Sequence, residues 1–132
     1  MRARADQLYG ILNGIDNRVY DPRQISICTA ILMKNLEREK GENKKCLQKE
    51  MGLKEQPDAF LIGMVSRLTD QKGYDLVMSK IDEMMSLEGV QIALQGTGEA
   101  KYENMLKDYE ARYPGRIAAQ FVYSERTAHR IY

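Results

Sequence analysis

The stretch FLIGMVSRLTDQKGYDLVM, Phe60 to Met78, decides the fold. An unbroken apolar run stops at Ser66. Arg67 and Lys72 follow in a polar loop, and an amphipathic pattern resumes directly after Gly73. An apolar run of this length suits a strand buried on both faces. From Tyr74 to Leu87, Val77, Ile81, Met84 and Met85 recur at helical spacing with charges opposite them. The segment therefore predicts a strand, a basic loop and a helix.

Further along the chain the pattern repeats. Gly89 ends the helix, and VQIALQG predicts a second buried strand. GTGE follows, then a helix with Tyr102, Met105, Leu106, Tyr109 and Tyr113 on one stripe, stopped by Pro114-Gly115. RIAAQFVY alternates Ile117, Ala119, Phe121 and Tyr123, the period of a third strand ending at Tyr123. Ser124 then opens another helix as its N-cap. The order β-α-β-α-β-α predicts a parallel sheet with right-handed crossovers.

Upstream the signals are weaker. LYGILNG (8–14) reads as a short strand ending in the turn dipeptide Asn13-Gly14, and Asp21-Pro22 marks irregular backbone. From about Ile25 to Lys49 the chain is charged and helix-prone. Gly41 is expected to divide this region, and Gly52 to cap the second half. This places a linking region at 1–56 and a parallel-sheet unit at 57–132.

Composition excludes several functions. Twenty basic and nineteen acidic residues nearly cancel, so no global field draws the chain to nucleic acid or anionic lipid. No apolar run reaches membrane-spanning length, and the N-terminal MRARADQLYG lacks the apolar stretch of a signal peptide. Cys28 and Cys46 lie outside any CxxC pattern; a disulfide between them is the alternative, and reduced thiols in a cytoplasmic protein are the expectation. His129 is the only histidine, which rules out a multi-histidine metal centre within the chain; no metal site is expected.

Ligands of parallel α/β sheets bind outside the carboxyl ends of the strands. SRLTDQKG, GTGE and YSE converge on that edge. Arg67 and Lys72 flank a helix start, where backbone N–H groups favour an anion. A guanidinium fork and a movable ammonium suit a diphosphate, although a basic pair in a loop also reads as solvated charge. Gly96-Thr97-Gly98 reads as a tight turn, a close approach to a ligand, or both. It is no dinucleotide fingerprint, because position 101 is lysine. Tyr123 reads as rim packing or as a stacking surface for a base, and Asn13 as a turn former or a sugar contact.

GILNGID, ENKKCLQKEMGL, VSRLTDQKGYDLV, ALQGTGE and YSERTAHRIY, in that order, resemble the glycogen/starch synthase family of retaining glycosyltransferases with two Rossmann-like domains (the GT-B type). The resemblance implies the first half of the C-terminal domain of such an enzyme, α/β with a Rossmann-like parallel sheet. Residues 1–56 would then be the interdomain hinge segment and linking helices, and 57–132 part of the nucleotide-sugar-binding domain. It implies transfer of glucose from ADP-glucose to the non-reducing end of an α-1,4-glucan, with no cofactor beyond that substrate. Arg67 and Lys72 match the pair that holds the donor diphosphate and stabilises the departing nucleotide. Tyr123 matches a tyrosine on adenine, Asn13 an asparagine near the transferred sugar, and Gly96, Thr97 and Gly98 the turn beside the nucleotide. Another GT-B enzyme using a different nucleotide sugar and a stand-alone nucleotide-binding module remain alternatives, and the diphosphate contacts do not distinguish ADP from UDP. In the sheet order 3-2-1-4 a fourth strand would cover the first and lies beyond Tyr132 in the family. The chain is therefore expected to expose that edge and self-associate.

Overall fold

The computed structural model describes residues 9–18, 20–21 and 36–132. Its elements are α1 (Leu36–Met51), β1 (Phe60–Val65), a 3-10 turn (Asp70–Lys72), α2 (Tyr74–Ser86), β2 (Val90–Gln95), α3 (Ala100–Arg112), β3 (Ile117–Gln120) and α4 (Glu125–Ile131). The three strands form one parallel sheet in the order β1-β2-β3.

β2 is central and buried along its whole length. Its alternating side chains divide the core in two. Val90, Ile92 and Leu94 join Tyr74, Met78, Ile81, Met85, Tyr102 and Leu106 beneath α2 and α3. Ala93 joins Leu47, Leu53 and Ala118 on the other face, against α1 and α4. Small residues let the helices approach there. A Cβ on Gly63 would lie 2.5 Å from a methyl of Ile131, so α4 seats on β1 because position 63 has no side chain.

Polar side chains stitch the amino edge of the sheet. The buried Gln48 amide of α1 donates to Gln91 Oε1 at 2.7 Å and to the Gln56 carbonyl at 3.0 Å, while Gln91 Nε2 donates to the Lys54 carbonyl at 2.8 Å. Arg116, just before β3, donates to the carbonyls of Val90, Met85 and Leu87 at 3.1, 2.8 and 2.6 Å. It thereby satisfies carbonyls at the end of α2 that no helical N–H can reach.

Several expectations need correction. Of the expected strand 8–14, Leu8 lies outside the described residues and 9–14 form no strand: Tyr9, Ile11 and Leu12 are exposed, and no strand among the described residues pairs with them. Gly41 does not divide α1, since one exposed glycine costs a helix only about 1 kcal/mol. β1 is only partly buried rather than buried on both faces, with Phe60 70% exposed, although it does lie at the edge of the described sheet as expected. β3 stops at Gln120 although the apolar alternation runs on to Tyr123. The last ladder bond is Gly96 N–H to the Gln120 carbonyl, 3.0 Å, and beyond it β2 has turned away. Residues 25–35 of the expected helical region, and Cys28, lie outside the described residues; Cys46 is a free thiol.

Candidate nucleotide site at the carboxyl edge of the sheet

The loop after β1 and the turn after β2 are zipped together. Ser66 N–H donates to the Gln95 carbonyl at 3.2 Å, Leu68 N–H to Thr97 at 3.0 Å, and Glu99 N–H to Leu68 at 2.9 Å. Leu68 and Gly98 thus form a parallel bridge that carries the sheet past its strands. This contact explains the glycines. A Cβ on Gly96 would fall 2.0 Å from the Ser66 carbonyl oxygen, and one on Gly98 2.3 Å from that of Leu68. Backbone approach within the protein is enough to require both glycines, whatever binds beside them.

Arg67 lies within this zipper, between Ser66 and Leu68, and Lys72 follows in the 3-10 turn. Leu68, wholly buried between them, anchors the loop in the core. The 3-10 turn closes with Gly73 N–H on the Asp70 carbonyl at 2.9 Å, and Gly73 takes a left-handed φ of 75°. α2 starts there without a side-chain cap. Both basic side chains are exposed, and neither has an ion-pair partner among the described residues. The first-turn N–H groups of α2 lie at the same edge and lack intrahelical acceptors.

Of the acidic groups nearby, Asp70 and Glu99 are paired, while Asp75 lies exposed in the first turn of α2. Asp70, between the two basic residues, accepts from Lys101 Nζ at 2.9 Å and from the Tyr102 hydroxyl of α3. Those bonds, the Tyr102 hydroxyl first, hold its carboxyl below the usual aspartate range. Lys101 also pairs with Glu99 at 3.2 Å, and its ammonium is held well above the ordinary lysine range, chiefly by the bond to Asp70. Tyr102 packs its ring 5.6 Å from that of Tyr74, whose hydroxyl accepts from Ser66 Oγ at 3.2 Å. Burial pushes the Tyr74 phenol up, with the Ser66 bond opposing. A chain of contacts therefore runs from Ser66 through Tyr74, Tyr102 and Asp70 to Lys101, fixing the loop between its two free cations.

Tyr123 lies in the loop after β3 and is 70% exposed. Buried Gln95 holds that loop, its Nε2 donating to the Val122 and Ser124 carbonyls at 3.3 and 2.9 Å. Ser124 caps α4 by accepting from Thr127 N–H at 3.3 Å. The structure therefore groups Arg67, Lys72, Gly96, Thr97 and Gly98 around one zipper and sets Tyr123 on the adjoining loop. Asn13 is exposed in a segment without regular structure, and no described contact brings it to this edge. Further along, the ring of Tyr20 lies 4.8 Å from that of His129 on α4. Periodicity gave no sign of the Asp70, Lys101 and Tyr102 cluster, because its partners are 31 and 32 residues apart.

A separate cavity of about 340 Å³ opens at the amino edge, lined by Arg38, Glu42, Lys45, Gln48, Glu55 and Pro57. Its charges pair with one another, Arg38 with Glu42 at 3.4 Å and Lys45 with Glu55 at 3.7 Å, so it presents no uncompensated field. The described residues contain no cluster fit to hold a metal ion and no helix long and apolar enough to cross a membrane.

No family model matches the chain. Its whole length aligns with glycogen synthase from Lachnospira eligens at 47% identity, covering 28% of that protein. It aligns with glycogen synthase from Geobacillus stearothermophilus at 42% identity, covering 27%. The catalytic domain of starch synthase IV from Arabidopsis thaliana, bound to ADP and acarbose, superimposes with a TM-score of 0.84 and 27% identity. That match covers 98% of this chain and 27% of the plant chain. The chain thus spans little more than a quarter of the relatives it matches. Over its whole length it is a homologue of the glycogen and starch synthases, with the fold of a Rossmann-like portion of their GT-B architecture.

Proposed function

We propose that the carboxyl-edge loops form the donor-nucleotide side of a glycogen synthase. In the whole protein this enzyme transfers glucose, with retention, from ADP-glucose to the non-reducing end of an α-1,4-glucan in the cytoplasm. The observation that carries the reading is the pair of cations Arg67 and Lys72, without ion-pair partners among the described residues, on a loop fixed by the Leu68–Gly98 bridge while the loop's own carboxylate, Asp70, is already paired. Negative charge grows on the diphosphate as the glycosidic bond breaks, so cations held there stabilise the transition state more than the ground state. The donor binds through Arg67, Lys72 and the backbone of Gly96, Thr97 and Gly98, with adenine on Tyr123. Asn13 contacts the transferred sugar only when the segment 9–18 is carried to this edge. The ADP of the starch synthase IV complex supports adenine over uracil.

Residues 1–56 act as hinge and linking segments, and 57–132 as the nucleotide-binding unit. A second copy of the chain pairs along β1. Phe60 and Ser66 N–H point to β2, so by alternation the N–H groups of Leu61, Gly63 and Val65 face outward, unpartnered among the described residues. The outer edge of β3, by contrast, is covered where Ala119 N–H donates to Glu110 at 2.8 Å.

Equilibrium binding of ADP and AMP to the chain tests the site. ADP should bind more tightly than AMP, and Arg67→Ala or Lys72→Ala should erase most of that preference. Equal binding of the two nucleotides, or a preference that survives both substitutions, would remove the diphosphate from the site.

A further inference from the structure

Asp70 is an acidic residue in the middle of a loop proposed to hold an anion. Its bare charge would oppose a diphosphate, and the loop already turns without it, through Gly73 N–H and the Asp70 carbonyl. The side chain instead accepts from two residues of α3, from Lys101 Nζ on both carboxylate oxygens and from the Tyr102 hydroxyl. Tyr102 is nearly wholly buried and lies against the fully buried Tyr74. A rigid core residue therefore grips the 3-10 turn whose last member is Lys72. The same bonds spread the Asp70 charge over a cation and a hydroxyl, leaving Arg67 and Lys72 as the uncompensated charges of the loop.

We infer that Asp70 is a positioning residue for the donor diphosphate, anchored by Tyr102 and Lys101 so that the 3-10 turn presents Lys72 toward the β-phosphate. The inference rests on the donor-site reading above and adds to it a residue that touches no substrate. A lysine side chain has several rotatable bonds, and its contribution to a phosphate depends on how firmly its backbone is held.

The sign of the effect separates positioning from simple charge. Asp70→Asn removes a negative charge beside an anion, so a field effect alone strengthens ADP binding. Loss of the anchor weakens it. Tyr102→Phe keeps the ring and the net charge while deleting the hydroxyl, and so controls for both packing and field.

ADP and AMP affinities of the chain are measured for Asp70→Asn, Tyr102→Phe, Lys72→Ala and the double variant Asp70→Asn/Lys72→Ala, with folding of each checked by circular dichroism. Both single anchor variants should weaken ADP about three- to tenfold, within the range of one lost hydrogen bond, and leave AMP unchanged. The double variant should be no weaker than Lys72→Ala, because Asp70 acts through that lysine. Unchanged or tighter ADP binding by Asp70→Asn and Tyr102→Phe overturns the inference, as does full additivity in the double variant. If Asp70→Asn does not fold, Tyr102→Phe and its pairing with Lys72→Ala decide by the same criteria. If Lys72→Ala itself leaves ADP over AMP intact, the donor-site reading has failed rather than the positioning role.

Discussion

Gly98 lies in backbone contact with Leu68: a Cβ there would sit 2.3 Å from the Leu68 carbonyl oxygen and 2.7 Å from its nitrogen. Neither atom can retreat, since both belong to the bridge that joins the two loops. Gly98→Ala is expected to cost about 1–3 kcal/mol of stability by overpacking and to weaken ADP binding by displacing the basic loop. Gly41→Ala should act in the opposite direction. Its Cβ meets nothing within 4 Å in the interior of α1, and helix propensity predicts a gain of about 1 kcal/mol. Urea midpoints of the two variants check the pair, and shifts of the same sign contradict it.

In the whole enzyme, Arg67→Ala or Lys72→Ala is expected to lower turnover about a hundredfold or more while leaving glucan affinity nearly unchanged, as for removal of one preorganised electrostatic contact. Both side chains are exposed and without ion-pair partners among the described residues, so the melting temperature should barely move. Steady-state kinetics with donor and glucan varied separately makes the comparison. Wild-type turnover in either variant takes that residue out of the mechanism.

The 132-residue chain, which covers 28% of its Lachnospira eligens relative, is expected to bind ADP without elongating glucan. Transfer needs donor and acceptor held together, and proximity supplies many orders of magnitude in rate. Incorporation of labelled glucose into glycogen by the purified chain would refute this.

Acid should loosen the α2–α3 side of the molecule. Asp82 accepts from the Tyr113 hydroxyl at 2.7 Å and from Arg112 at 3.0 Å, and these bonds, the tyrosine's first, lower its carboxyl below the ordinary value of 3.8. Asp70 is lowered likewise. A depressed folded-state pKa contributes stability that is present above the unfolded value and lost as pH falls through the folded one. The loss therefore begins below about pH 4, and Asp82→Asn should flatten it. Denaturant midpoints between neutral pH and pH 3 measure the slope, and an unchanged slope in the variant excludes this pair as a source.

Pairing of two copies along β1 predicts a dimer that an edge lysine breaks, as edge charges do in natural sheets. Leu61→Lys is a poor choice because Leu61 packs against the α1 side of the core. Phe60→Lys replaces an exposed apolar side chain at the start of the edge. Sedimentation at micromolar concentration should show a dimer that this variant converts to monomer. A monomeric parent chain rejects the pairing.

The sequence announced those parts of the fold that are set locally. Phe60–Val65 and Val90–Gln95 are apolar runs of strand length, and Tyr74–Ser86 and Ala100–Arg112 keep a 3.6-residue period between glycine and proline stops. What depends on a neighbour stayed hidden. Phe121 and Tyr123 continue an alternation after the strand beside them has ended, and Phe60, the first residue of an apolar run of strand length, is exposed. The same division holds at the site. Arg67, Lys72 and the two glycines are visible in one short motif each. The grip of Tyr102 on Asp70 joins residues a whole βα unit apart, and only the folded sheet brings them together.

Arg116 bears on how the molecule breathes. One guanidinium ties the end of α2, the start of β2 and the approach to β3 into a knot at the amino edge, reinforced by Gln48, Gln91 and Lys54. At the opposite edge Leu68 and Gln95 are buried, but the turn from Thr97 to Glu99 is exposed and is closed by backbone bonds and surface ion pairs. Local opening follows the weaker closure, so the sheet behaves like a book bound along its amino edge. Its pages part at Ser66, Gly96 and Gln120, where a nucleotide would enter, and amide exchange at those positions should outpace exchange at Val90 to Ile92.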